Sequence, residues 1–188
     1  MHLTVAICLI AAAFTVFAVV SRLLEVVGGD DVAVLVPFVG ETATLPIGPG
    51  GAPVEVAVDQ AVVTVSEREP TMIAGLVGET LVTGVAALAG IALLCLFCLE
   101  LARGRAFSAS TVRIVFIGTA VLLLGWVLGS VFRSMATTSA VAVVSDGDHL
   151  PVLLTTDFAP AFAVLALAAV GTAFQIGHRL QRDTEGLV

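Results

Sequence analysis

Four long apolar runs alternate with polar stretches along this chain of 188 residues. The first runs from Leu3 to Val20 and carries on to Val27. The second, Thr80 to Leu99, is bracketed by Glu79 and Glu100. The third covers Val115 to Phe132, and the fourth Phe158 to Ile176, with Pro160 in its first turn, where a missing N–H costs little. Each is long enough to cross a hydrocarbon core of roughly 30 Å as a helix. Between the first two runs the period changes. Val54 to Asp59 alternates apolar and polar, Ala61 to Ser66 is β-branched, and Val32 to Val39 and Glu41 to Ile47 read the same way around the turn Gly48-Pro49-Gly50-Gly51. Period two with turn residues predicts strands with one buried face. Pro37 marks an edge or a strand end. After the third run, Ala140 to Val144 and Leu150 to Thr155 flank Asp146-Gly147, which predicts a hairpin.

The predicted fold class is an all-α membrane bundle of four transmembrane helices with a small extracytoplasmic β-rich unit from the two external segments. The expected order is a first transmembrane helix over 1–27, a β-rich segment over 28–70 and a second helix over 71–102. A basic cytoplasmic loop over 103–113 and a third helix over 114–133 follow. A hairpin segment over 134–157, a fourth helix over 158–178 and a polar tail over 179–188 complete the chain. The first run lacks a basic leader and a small-residue cleavage site before a polar start, so it reads as a retained span. A lone hairpin is marginal in water, so the 28–70 segment needs a further strand or a helix to cover it.

Composition agrees with this class: 59% of residues are hydrophobic and only 12% charged. The formal charge of -7 argues against direct nucleic-acid binding, which needs clustered cations. All eight basic residues are Arg, and they set the orientation. With both termini in the cytoplasm, Arg103, Arg105, Arg113, Arg179 and Arg182 lie inside, and Arg22, Arg68 and Arg133 outside. Small residues at Gly125 and Gly129 suit either a homo-oligomer seam or packing within one bundle, and packing is the favoured reading. Cys95 and Cys98 have C-x-x-C spacing, but they and Cys8 sit in apolar runs, where thiolates are disfavoured; they read as small packing residues. Thr172 and Gln175 read as partners bonding across helices. Asp146, Asp148 and His149 fit a solvated turn better than a metal site.

The basic loop and the end of the chain resemble the DUF2975 family of small four-span bacterial membrane proteins. The shared elements are Gly104-Arg105-Ala106-Phe107-Ser108 before the third span and Phe174, Gly177, Leu180 and Asp183 after the fourth, with Glu185-Gly186-Leu187-Val188 closing the chain. Ala106 stands where the family often has Pro, and the Asn common after the Ser is absent. The resemblance implies a bacterial plasma-membrane protein, often encoded beside a small helix-turn-helix transcription regulator, which suggests a membrane partner for such a regulator.

Two functions follow as expectations. The first is a non-enzymatic sensor or sequestering partner of such a regulator. It would dock through Arg103, Arg105, Phe107, Arg179 and Arg182, with Phe107 anchored between the inner ends of the second and third spans. The second is a transporter or an accessory subunit of a transport complex. That would call for intramembrane charge, and the four span centres carry no Asp, Glu, Lys, Arg or His. No nucleophile–base pair or ligand cluster shares one depth, so no catalytic residue, metal site or cofactor is expected.

Overall fold

Each apolar run is a helix in the computed structural model of the chain. The structure describes residues 2–29, 31–66, 69–105, 108–145 and 158–185, with the side chains of 2, 38–41 and 181–185 outside that description. The order is α1 (His2–Gly28), β1 (Val32–Leu45), β2 (Val54–Val65), α2 (Pro70–Ala102), α3 (Ala109–Val144) and α4 (Ala159–Glu185). All four helices are long and apolar enough to cross a membrane by length and composition. At about 1.5 Å per residue, α2 and α3 reach roughly 50 Å, well beyond one hydrocarbon core.

Three boundaries differ from the sequence reading. α3 begins at Ala109, inside the stretch expected as a loop over 103–113, with Ser108 as its cap. Ala140 to Val144, expected as a strand, is the last part of α3. Its β-branched residues follow a helix already under way, and Ala136 and Ala140, one helical turn apart, are both fully buried on one face. Packing of that face overrides a weak strand preference. At the other end of the chain, α4 continues through Glu185, so the stretch read as a polar tail from 179 is helical for seven residues. Leu180, Gln181 and Arg182 are all good helix formers, and no Gly or Pro intervenes before Gly186. The hairpin turn at Asp146-Gly147, its second strand and the trio Asp146, Asp148 and His149 lie outside the described residues.

The chain divides into two compact units. One comprises Met1–Leu23, Gly78–Val131 and Asp157–Val188, and the other Leu24–Val77 and Phe132–Thr156.

The second unit holds the ribbon. β1 and β2 pair antiparallel, with Val32 opposite Val65, Val34 opposite Val63 and Val36 opposite Ala61. Val32, Val34, Val36 and Val65 are buried while Leu35 and Val62 are exposed, the two-residue alternation of a one-faced ribbon. Val26 of α1, Met72 and Leu76 of α2, and Ala136 and Ala140 of α3 complete one core with those valines. Helix segments therefore give the ribbon the cover it cannot do without, and among the described residues the sheet has two strands. The ladder slips where Pro37 interrupts it. Pro37 pairs with Gln60 and Glu41 with Val58, which leaves residues 38–40 opposite Asp59 alone. The Ser66 hydroxyl donates to Asp31 at 2.7 Å and closes the base of the ribbon. Gly75 fixes the spacing of α2 and α3 here: a Cβ on it would lie 2.7 Å from the Ala136 backbone nitrogen and 2.9 Å from the Phe132 carbonyl oxygen.

The first unit is a helix bundle with seams of small residues. A Cβ on Gly84 of α2 would come within 2.5 Å of Val19 on α1. Between α2 and α3, Gly125 faces Ala86, Gly129 faces Thr83, and Gly118 faces Leu93, an antiparallel run of contacts. Gly125 and Gly129 are thus filled from within the same chain. Gly171 of α4 lies against Val115 and Phe116 of α3. Phe97 of α2 meets Phe174 of α4 edge-on, at 5.6 Å between ring centres. Thr172 donates to the Ala169 carbonyl of its own helix at 2.7 Å rather than across to a neighbour.

Candidate docking face

The link between α2 and α3 is built by its backbone before any charge enters. α2 ends in a Schellman motif: the Arg105 N–H donates to the Glu100 carbonyl and the Gly104 N–H to the Leu101 carbonyl, both at 3.0 Å. The motif needs a left-handed residue, and Gly104 supplies it with φ +73°. Ser108 then starts α3, its hydroxyl oxygen accepting from the Thr111 N–H at 3.2 Å. The Thr111 hydroxyl donates to the Arg105 carbonyl at 2.8 Å. Thr111 has one hydroxyl proton, so in the 2.9 Å contact between the two hydroxyls Ser108 is the donor. Thr111 is completely buried, and this set of bonds satisfies it. The link is pinned from both sides of its sharpest point.

Charge sits on that frame. Arg103 pairs with Glu100 at 3.0 Å, yet its side chain remains 53% exposed against 14% for Glu100. The guanidinium therefore keeps donors facing outward while the carboxylate is largely used. Arg105, Arg113 and Arg179 are exposed. α4 runs antiparallel to α3, with Gly171 at the height of Val115, and parallel to α2, with Phe174 at the height of Phe97. Carried five residues further, Arg179 comes level with Ala102 and Arg103. The fold thus brings three of the five expected docking residues, Arg103, Arg105 and Arg179, to one end of the bundle. Arg182 follows in the same helix, with its side chain outside the described residues, and Phe107 lies outside them altogether.

No family model, curated protein or solved structure matches this chain. The DUF2975 resemblance thus rests on its short motifs. The structure assigns a clear task to part of one of them: Gly104 and Ser108 are the C-terminal and N-terminal caps of consecutive helices. Thr111 was not singled out in the sequence, although its position three residues after Ser108 is the spacing at which a cap meets its amide. Among the described residues no group of His, Cys, Asp or Glu could hold a metal ion.

Proposed function

We propose that this protein is a non-enzymatic membrane protein of the bacterial plasma membrane that docks a small helix-turn-helix regulator. The regulator binds the bundle end carrying Arg103, Arg105, Arg179 and Arg182. The observation that carries this reading is the convergence of the α2–α3 link and the α4 end, both arginine-bearing, on a frame fixed by Gly104, Ser108 and Thr111. Anionic lipid would hold such arginines too, but needs no defined backbone beneath them. A partner with an acidic surface gains from fixed charge spacing, mainly in association rate and specificity. In this reading that end faces the cytoplasm, as the arginine distribution favours, and residues 28–70 are extracytoplasmic. The packing of Gly125 and Gly129 against Ala86 and Thr83 supports the bundle-packing reading of that pair over a homo-oligomer seam.

Two measurements test this. Alkaline phosphatase fused after Glu55 should be active and fused after Val188 inactive; the reverse pattern refutes the orientation. A pull-down from detergent extract should recover a soluble regulator with the native chain and lose most of it when Arg103, Arg105, Arg179 and Arg182 are exchanged for Gln. Equal recovery from a correctly inserted variant refutes the docking face, and a native chain that recovers no soluble partner refutes the regulator.

A further inference from the structure

Three cysteines lie within one region of the bundle. Cys8 is on α1, and Cys95 and Cys98 are on α2. The two helices touch at Val19 and Gly84, where the absence of a side chain on Gly84 allows their backbones to close in. Cys8 lies eleven residues before Val19, and Cys95 eleven residues after Gly84. Eleven residues are close to three full turns, so each cysteine stands on the same face of its helix as the residue at the contact. Because the helices run antiparallel, both positions move the same way along the seam. The geometry therefore brings Cys8 opposite Cys95. All three are partly exposed on the bundle surface.

The C-x-x-C spacing directs attention to Cys95 and Cys98, and helix geometry counts against that pair. Residues three apart on a continuous helix hold their Cβ atoms roughly 5–6 Å apart, whereas a disulfide holds them at about 3.5–4.5 Å. Redox C-x-x-C pairs also draw on a helix N-terminus to stabilise the thiolate. Cys95 and Cys98 are in the last turns of α2, at the opposite pole of the dipole.

We propose that Cys8 and Cys95 form a thiol pair that a hydroperoxide oxidises to a disulfide joining α1 to α2. One thiol sulfur attacks the terminal peroxide oxygen as its proton passes to the departing alkoxide. The O–O bond breaks, and the products are a sulfenic acid and an alcohol. The second sulfur attacks the sulfenic sulfur, the S–S bond forms, and the S–O bond breaks with loss of water. Two thiols and one hydroperoxide thus become one disulfide, one alcohol and one water: both sulfurs are oxidised and the peroxide is reduced. A lipophilic hydroperoxide suits the site, since its surroundings are apolar. This inference is independent of the regulator reading.

The test uses the full chain in native membrane vesicles. Vesicles are exposed to cumene hydroperoxide, then denatured and labelled with a maleimide, with dithiothreitol-treated vesicles as the reduced control. The reduced chain should take three labels and the oxidised chain one, on Cys98. Peptides bearing Cys8 and Cys95 should be recovered joined, lighter by two hydrogens. C98S should still form the link and take no label after oxidation; C8S should keep both remaining thiols labelled. A Cys95–Cys98 link, a link between two copies of the chain, or full labelling of Cys8 and Cys95 after oxidation overturns the proposal. The wild-type peptide map decides the matter even if a variant fails to fold.

Discussion

Adding one methyl group to α2 should have opposite effects at two of its glycines. Gly75 and Gly90 both lie inside the helix, and exchanging either for Ala gains roughly 0.4–1 kcal/mol from helix propensity and reduced unfolded-state freedom. The surroundings decide the rest. At Gly90 the new Cβ would meet Leu122 Cδ2 at 3.8 Å, an ordinary contact. At Gly75 it would lie 2.7 Å from the Ala136 nitrogen and 2.9 Å from both the Ala136 Cβ and the Phe132 oxygen. Reaching an ordinary 3.4 Å from that nitrogen needs a shift of about 0.7 Å, the difference between 3.4 and 2.7. The obstructing atoms include backbone of α3, so no rotamer change relieves the clash and the helices must separate. Separation loosens Met72, Leu76, Ala136 and Ala140, which share one core with the ribbon valines. Overpacking of this kind costs about 1–3 kcal/mol, so G75A should be destabilised by a net ~1–2 kcal/mol and G90A should be neutral or slightly stabilised. Thermal unfolding of both variants in one detergent, read by loss of the monodisperse gel-filtration peak, makes the comparison. If G75A is as heat-stable as G90A, the close approach of α2 and α3 at Gly75 is wrong.

Two further perturbations probe the caps. T111V keeps the shape of a fully buried side chain but strips the Arg105 carbonyl and the Ser108 hydroxyl of their shared partner, which should cost about 1–3 kcal/mol. T111S should recover most of that loss in the same unfolding assay, and a T111V chain as stable as the native one would remove the lock. At the start of α2, Glu69 accepts from the Met72 N–H at 2.7 Å. Its carboxylate is held below the usual range first by the Thr71 hydroxyl and then by that amide. A depressed folded-state value places this stabilisation at neutral pH and removes it as pH falls through that value. The difference in unfolding temperature between the native chain and E69Q should therefore shrink on acidification, and a difference that stays constant with pH would show that the carboxylate charge plays no part.

The parts of the fold legible in the sequence are those governed by local repetition. Four apolar runs gave four helices, and the alternation around Val54 to Val65 gave a strand, because each pattern is read within a few residues. Pro37, read as an edge or a strand end, lies inside β1 on a two-stranded ribbon, where the ladder slips rather than ends. What the sequence hid depends on distant partners. Ala140 to Val144 look like a strand until Ala136 and Ala140 are seen to be buried with Met72 and Leu76. The pairing of Arg103 with Glu100 does not follow from composition, since it needs α2 to continue as far as Ala102. The meeting of α1 and α2 at Gly84 is hidden in the same way. At the docking face, residue types were legible while their support was not: the arginines stand out in the sequence, but Thr111, which ties Ser108 to Arg105, became visible only in three dimensions.

The continuation of α4 to Glu185 changes what a C-terminal extension means for this chain. A flexible leash lets its charges sample many distances and lets an attached module search a wide volume. A helix advances about 1.5 Å per residue in one direction, so the Arg179 and Arg182 positions are spaced by less than a turn along one side of a rod. Anything joined after Glu185 begins at the end of a stiff arm about one and a half turns beyond Leu180. A fluorescent protein fused there would sense the bearing of that arm, and the polarisation of its emission in oriented membranes would report the tilt of the helix itself.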